Sequence, residues 1–130
     1  GFDEAILLDQ SGNVSEAPGE NIFLVKNNEL ITPSLSSSAL DGITRRSVIT
    51  LANDLNLKIR ERKVSKKELK LADEIFLSGT AAEITPIIKI DKKKICSGKV
   101  GNITKLFMDT YSDIVMNKNE NYSHWLTTVY

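Results

Sequence analysis

The chain has 130 residues, 41% of them hydrophobic, which suits one folded domain with its own core. Seventeen basic residues balance seventeen acidic ones, so the net charge is zero and no broad attraction to nucleic acid or an anionic membrane follows. There is no signal-peptide pattern and no apolar run near the roughly 18–20 residues of a membrane span; one cysteine, Cys96, and one histidine, His124, exclude an internal disulfide, a cysteine-based zinc site and any site needing two imidazoles.

The chain opens on Gly1 and runs at once into the apolar stretch Ala5-Ile6-Leu7-Leu8. Its start is therefore expected to be a cut within a longer protein; the single cysteine suits a soluble, reducing and cytoplasmic setting. Asp9 to Asn13 reads as a turn, after which Val14 resumes extended chain. Ile22 to Val25 is β-branched and aromatic, and Asn27-Asn28 separates it from Leu30-Ile31, which predicts a hairpin. A serine-rich loop from Pro33 to Gly42 precedes a helix whose Val48, Leu51, Ala52 and Leu55 share one face. Lys58 to Val64 predicts a short exposed strand. Ser65 and Glu68 have the spacing of a capping box, so a two-turn helix follows through Leu69 and Ala72.

Glu74 to Leu77 predicts a buried strand, broken by Ser78-Gly79-Thr80. Ile84 to Ile90 is extended around Pro86, and Asp91 to Lys94 is an exposed charged turn. Ile103, Leu106, Phe107, Tyr111, Ile114 and Val115 form an apolar stripe, which predicts a helix from Ile103 to Met116. The aromatic tail from Tyr122 to Tyr130 is expected to pack down, His124 with it, and Cys96 is expected to be a small buried residue. The pattern is that of an α+β, or mixed α/β, domain.

Three turns carry candidate chemistry. Ser15 to Asn21 sets two carboxylates, Glu16 and Glu20, in a loop between strands: solvated acids, or a carboxylate on the floor of a pocket. Asp41 to Ser47 enters a helix, where free backbone N–H groups, the Thr44 hydroxyl and the charges of Arg45 and Arg46 suit a phosphate; an ordinary capped helix start has the same composition. Ser78 to Glu83 ends a strand in small residues that let amides approach an anion, or simply turn the chain.

Taken in order, the segments GFDEAILLD, SEAPGEN with IFLV, TPSLSSSALDGITRRSVI, ADEIFLSGTAAEITPI, GKVGNITK and HWLTTV resemble the class IV, fold-type IV, pyridoxal-phosphate-dependent aminotransferases. SGTAAEITP with a terminal HWL points within them to the branched-chain amino acid aminotransferases. The resemblance covers nearly the whole chain. It implies the larger C-terminal, cofactor-binding domain over residues 1–130, a mixed β-sheet or pseudo-barrel with flanking helices, truncated at its N-terminus. It implies pyridoxal 5′-phosphate as cofactor, with Glu16 keeping the pyridine nitrogen protonated. Leu40, Ile43 and Thr44 on one turn, and Gly79 and Thr80 on the other, would hold the phosphate. Thr80 and Ala81 would receive the substrate carboxylate.

The family's Schiff-base lysine matches no lysine here and is expected upstream of Gly1, together with the small N-terminal domain. Lys26, Lys99 and Lys105 read as solvated surface lysines, so this chain alone is expected to be inactive. A second departure is Ala17-Pro18, where a Gly followed by a small residue is usual. The implied activity of the whole protein is transfer of the amino group of leucine, isoleucine or valine to 2-oxoglutarate by a ping-pong cycle, in a cytoplasmic homodimer or higher homo-oligomer; neither nucleic acid nor membrane is expected as a partner. D-amino acid aminotransferases and aminodeoxychorismate lyases share the broad pattern. A non-catalytic cofactor-binding or interaction module is a third reading.

Overall fold

The computed structural model describes residues 5–35, 42–79 and 83–116. Strands β1 (Leu7–Leu8) and β2 (Val14–Glu16) pair antiparallel. The turn between them is built by Asp9, whose carboxylate accepts from the backbone N–H groups of Ser11 and Asn13 at 2.9 and 3.0 Å. Strand β3 (Asn21–Lys26) turns into β4 (Glu29–Pro33) through Asn27 and Asn28, at φ 52° and 63°. Two successive left-handed residues are what a tight hairpin needs, and asparagine tolerates them.

Helix α1 (Ile43–Asp54) carries the chain back to β5 (Ile59–Arg62), which lies parallel to β4. Helix α2 (Lys66–Leu71) follows, with Ser65 and Glu68 forming the reciprocal capping box. Strands β6 (Glu74–Gly79) and β7 (Glu83–Ile87) come next, then a small hairpin, β8 (Lys89–Ile90) and β9 (Lys93–Lys94). A 3-10 turn at Cys96–Gly98 leads into α3 (Asn102–Val115).

The main sheet is mixed, in the order β5-β4-β3-β6-β7, with β4 and β5 its parallel pair. Its central strands are buried on both faces, which is why Ile22-Phe23-Leu24-Val25 and Ile75-Phe76-Leu77 read as unbroken apolar runs. Phe23, Val25, Leu30 and Phe76 face α1 and α3, meeting Val48, Leu51, Phe107 and Ile114. Ile22, Leu24, Ile31, Ile75 and Leu77 face the other way, onto Val14, Val64, Leu69 and Ile95. Phe76 stacks between Phe23 and Phe107, at ring-centroid distances of 5.1 and 5.5 Å.

Four expectations need correction. β6 does not break at Ser78: Ser78 and Gly79 are still paired, with Asn21 and Ile84 flanking Ser78 and Glu83 opposite Gly79. The stripe on α3 is narrower than its apolar residues suggest, because Leu106 and Val115 are 41% and 43% exposed while Thr104 is buried. The extended segment around Pro86 is interrupted at Ile88, so β7 and β8 belong to different sheets. Cys96 is half-buried rather than buried, in a left-handed turn residue at φ 53°.

Candidate functional site

The first candidate segment folds as a two-residue turn. The Ala17 N–H donates to the Glu20 carbonyl and the Glu20 N–H to the Ala17 carbonyl, both at 3.0 Å. Gly19 has φ 72°, and Pro18 precedes it, the pattern of a type II turn. The first central residue of such a turn needs no N–H and favours the φ that proline fixes. Pro18 is thus accommodated by the local geometry. The turn leaves Glu16 half-buried at the end of β2 and Asn21 buried at the start of β3.

The end of β6 presses on that turn. A Cβ on Gly79 would lie 2.9 Å from both the Gly19 carbonyl oxygen and Glu20 Cγ. Only glycine lets the two backbones come this close. One residue earlier, Ser78 lies opposite Asn21. Asn21 in turn touches the entrance to α1: a Cβ on Gly42, the N-cap residue, would sit 2.7 Å from Asn21 Oδ1. The turn after Glu16, the end of β6 and the start of α1 therefore meet through Gly79, Asn21 and Gly42.

The entrances of α1 and α3 differ. The Glu74 carboxylate accepts from the Thr104 and Ile103 N–H groups at 2.7 and 3.3 Å, so the N-terminus of α3 already holds an anion. α1 begins on Gly42 with no side-chain cap and no acidic residue in its first turn. The N–H groups of Ile43 and Thr44 have no place in the helix ladder and point outward from it. Ile43 is exposed and Thr44 is buried.

Arg45, expected to lend charge to this entrance, is used elsewhere. Its guanidinium is buried, and Nη2 donates to Glu61 Oε1 at 2.9 Å and to the Pro33 carbonyl at 3.2 Å. It ties α1 to the ends of β4 and β5. Arg46 is exposed.

Sequence reasoning passed over Ser78 as a bridging member of this group. Its hydroxyl is fully buried and has no hydrogen-bond partner among the described residues. A serine within an otherwise apolar buried strand was the available signal. A helix entrance with no capping group among the described residues, and a buried hydroxyl on the neighbouring strand, fit a phosphorylated ligand, which needs N–H and O–H donors.

Of the residues expected to bind ligand, Ile43, Thr44 and Gly79 lie on the elements that converge, and Glu16 directly precedes the turn among them. Leu40, Thr80 and Ala81 lie outside the described residues, as does His124. Lys99 and Lys105 are exposed, while Lys26 donates to the Leu71 carbonyl at 2.8 Å and pairs with Asp73. A separate cleft of about 580 Å³ lies between β1, α2 and β7, lined by residues including Ile6, Leu8, Leu69 and Ile87, and contains none of the candidate residues. No helix among the described residues is long and apolar enough to cross a membrane.

Comparison with known proteins gives a consistent picture. Residues 1–90 match the family described as amino-transferase class IV. A probable branched-chain-amino-acid aminotransferase of Aquifex aeolicus (strain VF5) is 50% identical over 131 residues, covering 100% of this chain and 42% of the relative. The crystal structure of the Thermoproteus uzoniensis branched-chain aminotransferase with norvaline superposes with a TM-score of 0.95 at 48% identity, covering 100% of this chain and 43% of that one. A branched-chain amino acid aminotransferase from T.th., complexed with N-(5′-phosphopyridoxyl)-L-glutamate, superposes with a TM-score of 0.95 at 39% identity, covering 100% and 44%. The chain thus spans less than half the length of the relatives it matches.

Proposed function

Because the chain belongs to the class IV aminotransferases, we propose that residues 1–130 form the cofactor-binding domain of a branched-chain amino acid aminotransferase that takes pyridoxal 5′-phosphate. The observation that carries this is the meeting of three elements through Gly79, Asn21 and Gly42, which sets a helix entrance with a glycine at its N-cap close to the turn that follows Glu16. A phosphate at one end of a small ring and a basic nitrogen at the other are complementary to that pair of features. Support also comes from the T.th. relative, crystallised with a phosphopyridoxyl amino acid.

When bound, the cofactor supplies an electron-accepting ring to the substrate's α-carbon. The protein's part is to hold and polarise. Glu16 keeps the ring nitrogen protonated through the attraction of its carboxylate. The amides of Ile43 and Thr44 would hold the phosphate from α1 and Gly79 from the end of β6, with Leu40 and Thr80 as its further ligands. Thr80 and Ala81 receive the amino acid carboxylate. The substrates are leucine, isoleucine or valine, with 2-oxoglutarate as acceptor, and the working protein is a cytoplasmic homodimer.

Amino transfer by the whole protein from leucine and from D-alanine, with 2-oxoglutarate as acceptor, tests the substrate class. Leucine is expected to be preferred. A preference for D-alanine would reassign the protein to the D-amino acid aminotransferases, and pyruvate release from aminodeoxychorismate would reassign it to the lyases. Glu16→Gln keeps the side chain's size and removes its charge. Leucine turnover is expected to fall on the order of 10²-fold, the usual cost of removing one preorganised electrostatic contact. Unchanged turnover would remove Glu16 from its assigned role.

A further inference from the structure

We propose that the Ser78 hydroxyl is an additional ligand of the anion seated on the N-terminus of α1. Along β6, Phe76 faces the α1 and α3 layer, and Ser78, two residues on, faces the same way. Its partner across the strands, Asn21, shares that face and lies against Gly42 at the helix entrance. The hydroxyl therefore faces the layer that holds α1, one strand-pair away from the residue that touches the helix entrance. It is wholly inaccessible and makes no hydrogen bond to any described residue. A buried hydroxyl left in this state is destabilising, and alanine would pack there without that penalty. Serine is explained if its O–H has an acceptor when the site is filled, and a phosphate oxygen at the α1 entrance is such an acceptor.

The inference rests on reading that entrance as a phosphate seat, and its test separates the two. Inorganic phosphate and pyridoxine 5′-phosphate are titrated into wild type, Ser78→Ala, Ser78→Cys and Glu16→Gln, and the unliganded proteins are melted in phosphate-free buffer. The expected result is that Ser78→Ala weakens both ligands by the same factor, roughly 10-fold, as for a hydrogen bond to a charged group. Ser78→Cys, close in volume but a poorer donor, moves the same way. Glu16→Gln weakens pyridoxine 5′-phosphate alone. Unliganded Ser78→Ala melts no lower than wild type, which a merely structural role would not allow.

Unchanged phosphate affinity in Ser78→Ala, or a lower melting temperature without ligand, would overturn the assignment of Ser78 and leave the coenzyme reading standing. A wild type that binds inorganic phosphate but not pyridoxine 5′-phosphate, with Ser78→Ala weakened for phosphate, would retire the coenzyme reading and keep Ser78. A wild type that binds neither overturns both.

Discussion

Two glycines at the site exclude side chains for different reasons, and the difference is measurable. At Gly79 the obstruction includes the Gly19 carbonyl oxygen, which belongs to a turn closed by two backbone hydrogen bonds. At Gly42 it is the tip of the Asn21 side chain rather than backbone. Gly79→Ala is expected to cost about 1–3 kcal/mol, the usual range for overpacking. Gly42→Ala is expected to cost less than about 1 kcal/mol, most of it the poorer N-cap. Urea unfolding of the two variants checks the order, and equal losses would mean that the turn yields as easily as a side chain. The candidate residues themselves were legible only in part. Small residues, a carboxylate and a helix start announced three possible anion sites, but each had an equally good reading as an ordinary turn. What links them is a set of contacts between residues 19, 21, 42 and 79, which no local pattern encodes. Arg45 shows the opposite failure: its charge beside a helix start suggested a ligand, and Glu61, remote in sequence, takes it instead.

At the level of single elements, α2 shows how a short helix is held by its ends. Six residues cannot sustain a helix by propensity alone. The Ser65 N–H donates to Glu68 Oε2 at 2.7 Å, and the Glu68 N–H returns a bond to Ser65 Oγ at 3.4 Å. Arg62, at the end of β5, then grips the same carboxylate with two donors, at 2.7 and 3.2 Å. The hydrogen bond from Arg62 holds the Glu68 carboxyl below the usual glutamate range, helped by the bond from the Ser65 backbone, and raises Arg62 in turn. Because the folded carboxyl is the stronger acid, its contribution is complete above the unfolded glutamate value, about pH 4.3. It is lost as pH falls through the lower folded value. Arg62 stays charged throughout and adds no pH dependence there. Both side chains are about a third exposed or more, which limits the contribution to about 1 kcal/mol or less. Glu68→Gln is therefore expected to be less stable than wild type at pH 7, by a margin that shrinks as pH falls below about 4.3. A gap that does not shrink on acidification would show that packing, rather than charge, sets the role of Glu68. This element was fully legible beforehand, since a capping box is written within four consecutive residues.

Across the whole molecule, the elements were easier to anticipate than their arrangement. Hairpins and helices follow from patterns within ten residues, whereas the adjacency of β3 and β6 joins segments about fifty residues apart. Both strands are apolar on both faces, so their sequence shows burial without showing the partner. The aromatic column through the molecule depends on that adjacency. Phe23 on β3, Phe76 on β6 and Phe107 on α3 come from three distant segments and stack with Phe76 in the middle. Each ring is fully buried. Phe76→Leu roughly keeps the packed volume and removes the stacking on both sides, so its expected loss is about 1–2 kcal/mol. Phe76→Ala leaves a cavity at the junction of sheet and helix, with an expected loss of about 3–5 kcal/mol, a large share of the roughly 5–15 kcal/mol that holds a domain together. If the column acts as one unit, Phe23→Leu and Phe107→Leu should each lose most of their individual effect in a Phe76→Leu background. Denaturant unfolding of the single and double variants measures this, read as shifts in midpoint at constant slope. Strict additivity would mean that the three rings stabilise their own elements separately, and that the sheet and α3 are joined by the surrounding aliphatic residues instead.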